Sequence, residues 1–184
     1  MSTSFQASRL NVQAFAQEGV PLVETTLLRN MERLAQEVQG LAPDLLVNWE
    51  ARAEFRPGSR AEDDVWLHLQ VKTSIPLTCQ RCMGMVAAPL EVDQWYRFVA
   101  TEDIAMAEDD ESEEDLLVME PQFDLLAVLE DELLMTLPLV PMHDECPVAP
   151  IMQAGEDALE KEAHKNGEKP NPFAVLAKLK KKIE

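Results

Sequence analysis

The spacing of apolar residues along this chain switches between helical and alternating periods, and the switches delimit its elements. Residues 1–22 are mixed, with Gly19 and Pro21, and are expected to form an arm with a short helix around residues 12–17. Over residues 24–38, Leu27, Leu28, Met31, Leu34, Ala35 and Val38 recur at helical spacing, with Arg29, Glu32, Arg33 and Gln36 opposite. This predicts an amphipathic helix that buries one face and ends at Gly40 and Pro43. The period then becomes two. Leu45, Val47, Trp49, Ala51, Ala53 and Phe55 alternate with Asn48, Glu50, Arg52, Glu54 and Arg56, the pattern of a strand with one wet face. Pro57, Gly58 and Ser59 turn the chain, and a second alternating run, Val65, Leu67, Leu69, Val71, Thr73 and Ile75, completes a predicted antiparallel hairpin. On its polar side lie Trp66 and His68, the latter expected at the surface. A third strand is expected over residues 87–99, with Leu90, Val92, Tyr96 and Phe98 on one face.

Residues 101–132 carry fourteen acidic residues and no lysine or arginine. The stretch 101–115 has no apolar period and is expected to be a mobile acidic loop. Residues 116–119 could add a short strand. Leu125, Leu126, Leu129, Leu133 and Leu137 predict a second amphipathic helix over residues 123–137, closed by Pro138 and Pro141. Residues 147–170 read as a polar linker. Asn171 and Pro172 then open a short helix, with Asn as N-cap and Pro at the first helical position. The expected fold class is α+β: a small antiparallel β-sheet packed by two amphipathic helices in one domain over residues 1–146, followed by an extended C-terminal arm whose helix spans residues 171–184.

Charge changes this picture more than composition does. The 184 residues include 34 acidic and 16 basic ones, a formal charge of −18. Such a body repels phosphate and should not coat nucleic acid non-specifically. It fits basic partners, ribosomal proteins among them, although solubility alone also accounts for the charge. No apolar run reaches the length of a membrane helix, and the first ten residues lack a basic-then-apolar leader. The expected location is therefore the cytoplasm. Three cysteines, an odd number, fit a reducing compartment better than a disulfide framework.

Two features carry candidate chemistry. Cys79 and Cys82, two residues apart on a predicted turn, could grip a metal, with Gly84 letting the backbone curl beneath them; Met83 stands where a zinc knuckle usually has glycine. His143 and Cys146 would complete a Cys3His set for structural zinc. Reduced thiols without a ligand, or a redox pair of Cys79 and Cys82, are the other readings of these cysteines. The second feature is the C-terminal helix. Phe173, Val175, Leu176, Leu179 and Ile183 share one arc, and Lys178, Lys180, Lys181 and Lys182 cluster near its end. It is either a capping helix that docks on the domain, or a tethered helix whose Phe173/Leu176 face enters a partner groove and whose lysines touch RNA phosphate. The chain shows no Ser/His/Asp arrangement, no glycine-rich phosphate loop, no H-E-x-x-H and no carboxylate pair placed for catalysis. A small-molecule substrate is not expected, and a non-enzymatic role is.

Three motifs in order bear a family resemblance. They are the run from Leu77 and Thr78 through Cys79-Gln80-Arg81-Cys82, the acidic helix and proline-flanked exit from Asp124 to His143, and the C-terminal signature from Lys169 to Lys180. Together they resemble the YceD-like large ribosomal RNA subunit accumulation family; the first 60 residues match only in layout. The resemblance implies a role in accumulation of 23S ribosomal RNA and no established catalytic activity. Partners consistent with it are large-subunit assembly intermediates or a basic ribosomal protein. Direct RNA binding through the sheet face, using Trp66, Trp95 and Arg97, is the alternative.

Overall fold

The structure, a computed structural model, describes residues 5–38, 44–58 and 63–148. The chain divides into two compact units, Met1–Cys146 and Pro147–Glu184. The expected linker over 147–170 lies outside the described residues except for Pro147 and Val148, and the lysine-rich helix over 171–184 lies outside them altogether.

The first unit is built on one five-stranded sheet in simple sequence order. β1 (Leu22–Leu27), β2 (Leu46–Arg56), β3 (Asp64–Thr78) and β4 (Met85–Val99) are successively antiparallel, and β5 (Asp115–Val118) joins β4 in parallel. The α+β class is as expected. The alternation places Val47, Trp49, Ala51 and Ala53 of β2, and Val65, Leu67, Leu69 and Val71 of β3, on the buried face. Registers such as Trp49 opposite Val71 and Val71 opposite Val92 stack these rows across the strands. A one-residue slip would turn every one of them to water, so the pattern fixes the register.

Helices cover that face. α1 (Val12–Glu18) lies over β2 and buries Val12, Phe15 and Ala16. α4 (Leu125–Met135) buries Leu125, Leu129 and Leu133, with Asp124 accepting from the Ala127 N–H as N-cap. Phe15, Leu125, Leu129 and Leu133 are fully buried.

Three expectations are corrected. The N-terminal region is not an arm: among its described residues Leu10, Val12 and Phe15 are buried, and Leu10 pairs with Phe123 through two backbone hydrogen bonds of 2.8 and 2.9 Å. The helix expected over 24–38 is half strand. β1 occupies residues 22–27, a 3-10 turn follows over Leu28–Asn30, and α2 spans only Glu32–Glu37. Val23, Thr25 and Thr26 are β-branched and pair with β2, which outweighs the helical spacing that begins at Leu27. Finally, the acidic stretch 101–115 is ordered. Thr101 caps α3 (Glu102–Glu108), and Arg97 gathers Glu114 at 2.6 Å, Glu108 at 2.9 Å and Asp64 at 3.7 Å. A half-buried guanidinium from β4 thus anchors a segment that has no apolar period of its own.

Candidate metal centre

The tip of the β3–β4 hairpin carries Cys79 and Cys82. Its turn closes with Cys79 N–H donating to Gly84 O and Met83 N–H to Cys79 O, at 2.8 and 2.9 Å. The position that adopts a left-handed backbone is Met83, with φ of 61°, rather than Gly84. A Cβ on Gly84 would meet Cys82 Sγ at 3.5 Å, an ordinary contact, so the turn does not need that glycine for space.

After α4, Pro138 and Pro141 stop the helix and the chain runs back against the hairpin tip. Gln80 N–H donates to Pro141 O at 2.9 Å. This brings His143 and Cys146 beside the two hairpin cysteines. Cys79 Sγ lies 3.9 Å from Cys146 Sγ, and Cys82 Sγ 3.5 Å from His143 Nδ1. The four candidate donor atoms all fall within 4.8 Å of one another. A tetrahedral zinc site with Zn–S bonds of about 2.3 Å has donor–donor edges of about 3.8 Å, close to the 3.9 and 3.5 Å separations of these two pairs.

The surroundings fit the same chemistry. His143 Nε2 contacts Met85 O at 2.9 Å; a carbonyl only accepts, so Nε2 carries the proton and Nδ1 presents its lone pair to the sulfurs. Cys79 is fully buried, which disfavours its ionised form. Backbone N–H groups of Cys82, His143 and Arg81, with the His143 side chain, outweigh this and bring the thiol down to about 5. Cys82 is raised: the Gly84 N–H favours its thiolate, but burial and the two neighbouring sulfurs prevail. Arg81 closes the arrangement. Its Nε donates to Cys146 Sγ at 3.1 Å, and its terminal nitrogen donates to the carbonyls of His143 and Asp144. It supplies positive charge to a sulfur-rich site and ties the returning segment down.

All three cysteines are free thiols. Cys79 and Cys82 are flanked by strands, not by the helix start that a thioredoxin-like pair needs.

The other candidates fare differently. On the outer sheet face, Arg56 stacks 3.8 Å from the Trp95 ring centre and 4.5 Å from that of Trp66. His68 lies parallel to Trp95 at 4.2 Å, and its Nε2 contacts Asp93 at 2.6 Å. His68 is therefore buried, at 8% exposure, and not the surface residue that alternation suggests. The face is as read; an aromatic and arginine layer covers it. Sequence could not show this layer, because Arg56 and Trp95 are thirty-nine positions apart. Phe173, Leu176, Lys178, Lys180, Lys181 and Lys182 lie outside the described residues.

Comparison with known proteins decides the family. Residues 67–180 match the family described as large ribosomal RNA subunit accumulation protein YceD. The chain belongs to that family. The YceD match spans the cysteine hairpin, β4, α4 and the His143/Cys146 segment. A YceD relative from Haemophilus influenzae, named large ribosomal RNA subunit accumulation protein, is 33% identical over 176 residues, which cover 91% of each chain. No solved structure matches the chain. Among the described residues, no helix is long and apolar enough to cross a membrane.

Proposed function

We propose that this chain is a non-enzymatic cytoplasmic ribosome-assembly factor that supports accumulation of 23S ribosomal RNA, and that it acts through protein partners. Membership of the YceD family is the observation that carries the first half. Charge supports the second: a body of −18 pays an electrostatic penalty for every phosphate it approaches and gains from every lysine or arginine of a basic protein. The outer-face aromatics favour the same side of the choice. RNA-binding sheets stack bases on open rings, whereas Trp95 is already sandwiched by Arg56 and His68.

In this reading Cys79, Cys82, His143 and Cys146 hold one structural zinc ion. The metal would supply a cross-link between the hairpin tip and the segment after α4, and a closed Cys3His set leaves no open position for chemistry. Arg81 and the Met85 carbonyl orient the donors.

Co-purification of the tagged protein at moderate salt is expected to recover large-subunit precursors or a basic ribosomal protein. A preparation that carries neither would overturn the partner model. Gel shifts of purified protein with 23S fragments are expected to show only weak binding, and tight, salt-sensitive complexes would favour the direct RNA module instead. Metal analysis should return about one zinc per chain, lost in a Cys79→Ser/Cys82→Ser double variant.

A further inference from the structure

Beside the cysteine and histidine cluster, and sharing His143 with it, runs an open groove of about 540 Å³. One wall is the start of β4, Val86 to Pro89; the other is the proline-rich exit from α4, with Pro138, Val140 and Met142. Among the described residues of the first unit, eleven large apolar side chains are exposed. Val140 and Met142 of these line the groove, and Met83, Met85, Met135 and Leu139 lie within three positions of a lining residue along the chain. Leu139 is wholly exposed and Met135 81% exposed, so these residues are not covered by the fold. Monomeric surfaces scatter such side chains singly, and concentration in one place marks an interaction site. Four of the six are methionine, whose unbranched, polarisable side chain adapts to different apolar partners.

Charge says what kind of partner fits. From residue 98 to residue 148 the chain has sixteen acidic residues and no lysine or arginine. Asp144 lines the groove and Glu145 follows it, both exposed. The single arginine in the lining, Arg81, is engaged with Cys146 Sγ and two backbone carbonyls. The groove therefore offers apolar walls in a negative field without a free cation of its own. An acidic segment, or an RNA strand, would meet repulsion here.

We infer that this groove docks a short extended segment of a basic protein, one that places bulky apolar side chains between lysines or arginines. The apolar side chains fill the space between the β4 wall and the Val140/Met142 wall, and the flanking cations face the carboxylates. The inference rests on the partner reading above and adds the place and chemistry of contact. The β4 wall continues from the hairpin tip and the other wall leads into His143 and Cys146, so a metal held by the set would fix the spacing of the two walls.

The test uses the full chain and a fluorescein-labelled twelve-residue peptide of alternating lysine and leucine, read by fluorescence anisotropy. Its counterpart replaces every lysine with glutamate. The lysine peptide should bind and weaken at least tenfold in a Leu139→Glu/Val140→Glu variant. Both positions are exposed, so folding should survive, which circular dichroism checks. A Val20→Glu/Val23→Glu variant adds the same charge at exposed positions elsewhere and should leave binding within twofold. Equal loss in both variants, or no loss in the first, overturns the groove as the site. Binding of the glutamate peptide as tightly as the lysine peptide overturns the charge argument. Two other occupants are also read out. Dimerisation abolished by Leu139→Glu/Val140→Glu in sedimentation would assign the groove to a second copy. A tenfold gain in peptide affinity on Phe173→Ala/Leu176→Ala would assign it to the chain's own tail. Either result overturns the inference. Co-purification of precursors with the wild type and with Leu139→Glu/Val140→Glu separates the two levels: loss only in the variant supports the groove, retention in both overturns the groove alone, and loss in both overturns the partner model.

Discussion

At the scale of single residues, Met83 and Cys79 make the sharpest claims. Met83 holds a φ of 61°, a conformation that costs an L side chain about 1 kcal/mol and glycine almost nothing. Met83→Gly should therefore stabilise the unit by about 0.5–1 kcal/mol, measured by urea unfolding of the metal-free protein. A destabilised variant would mean that the exposed side chain of Met83 packs in some further contact. For Cys79, burial opposes ionisation, but the amide groups around the sulfur prevail and lower its pKa from 9.0 to about 5. A depressed value gives stability that is full above about 9, shrinks as pH falls, and is gone below about 5. Absorbance at 240 nm of metal-free protein should show one thiolate titrating near 5 that disappears in Cys79→Ser. Of the four donor residues, the types and the two spacings were readable in the sequence. The tautomer of His143 and the clasp of Arg81 were not, because both depend on carbonyls supplied by distant backbone.

At the scale of elements, α2 and α3 show how much these short helices borrow from elsewhere. α2 has six residues and no side-chain cap of its own. Glu130 of α4 provides one: its carboxylate accepts from the N–H groups of Arg33 and Leu34 at 2.7 and 3.0 Å, while Asp131 pairs with the Arg33 guanidinium. Glu130→Ala should cost about 1–2 kcal/mol and speed amide hydrogen exchange over residues 32–37. Glu130→Gln, which keeps an acceptor, should recover much of this. α3 has no buried residue and depends on Arg97. Arg97→Gln leaves Glu108, Glu114 and Asp64 facing one another and should cost about 2 kcal/mol, with the loss of protection confined to residues 101–115. Burial alone would raise Glu114, yet its bonds to Arg97 dominate and lower its pKa below the ordinary 4.5. The network's contribution is thus present above 4.5 and is lost as pH falls through the lowered value. The three long strands, β2 to β4, were by contrast legible almost residue by residue, since period-two alternation over eleven to fifteen positions leaves no competing reading. Residues 24–38 misled because helical spacing and β-branched residues overlap there, and pairing with β2 settles the matter.

At the scale of the whole molecule, the proposed zinc site turns on the returning segment after α4, and metal removal tests it. A zinc-specific chelator should lower the melting temperature and expose residues 79–84 and 141–146 to exchange, while the five-stranded sheet stays protected. Uniform loss of protection would mean that the metal supports the entire fold rather than one corner of it. Sequence by itself determined the α+β class, the three long strands, the leucine face of α4, the family and the excess of negative charge. These follow from local period and composition, which need no knowledge of what lies across the core. The meeting of His143 and Cys146 with the cysteine hairpin is put forward from residue type and spacing, and the structure brings the four together. Only the tertiary structure decided that the N-terminal region is core, that acidic residues 101–115 wrap around Arg97, and that His68 is roofed by Trp95 and Arg56. Each of these is a contact between segments whose sequences carry no mark of one another. The physical reason is the same in every case: burial and hydrogen bonding are settled by neighbours in space, and the chain records only its neighbours in order.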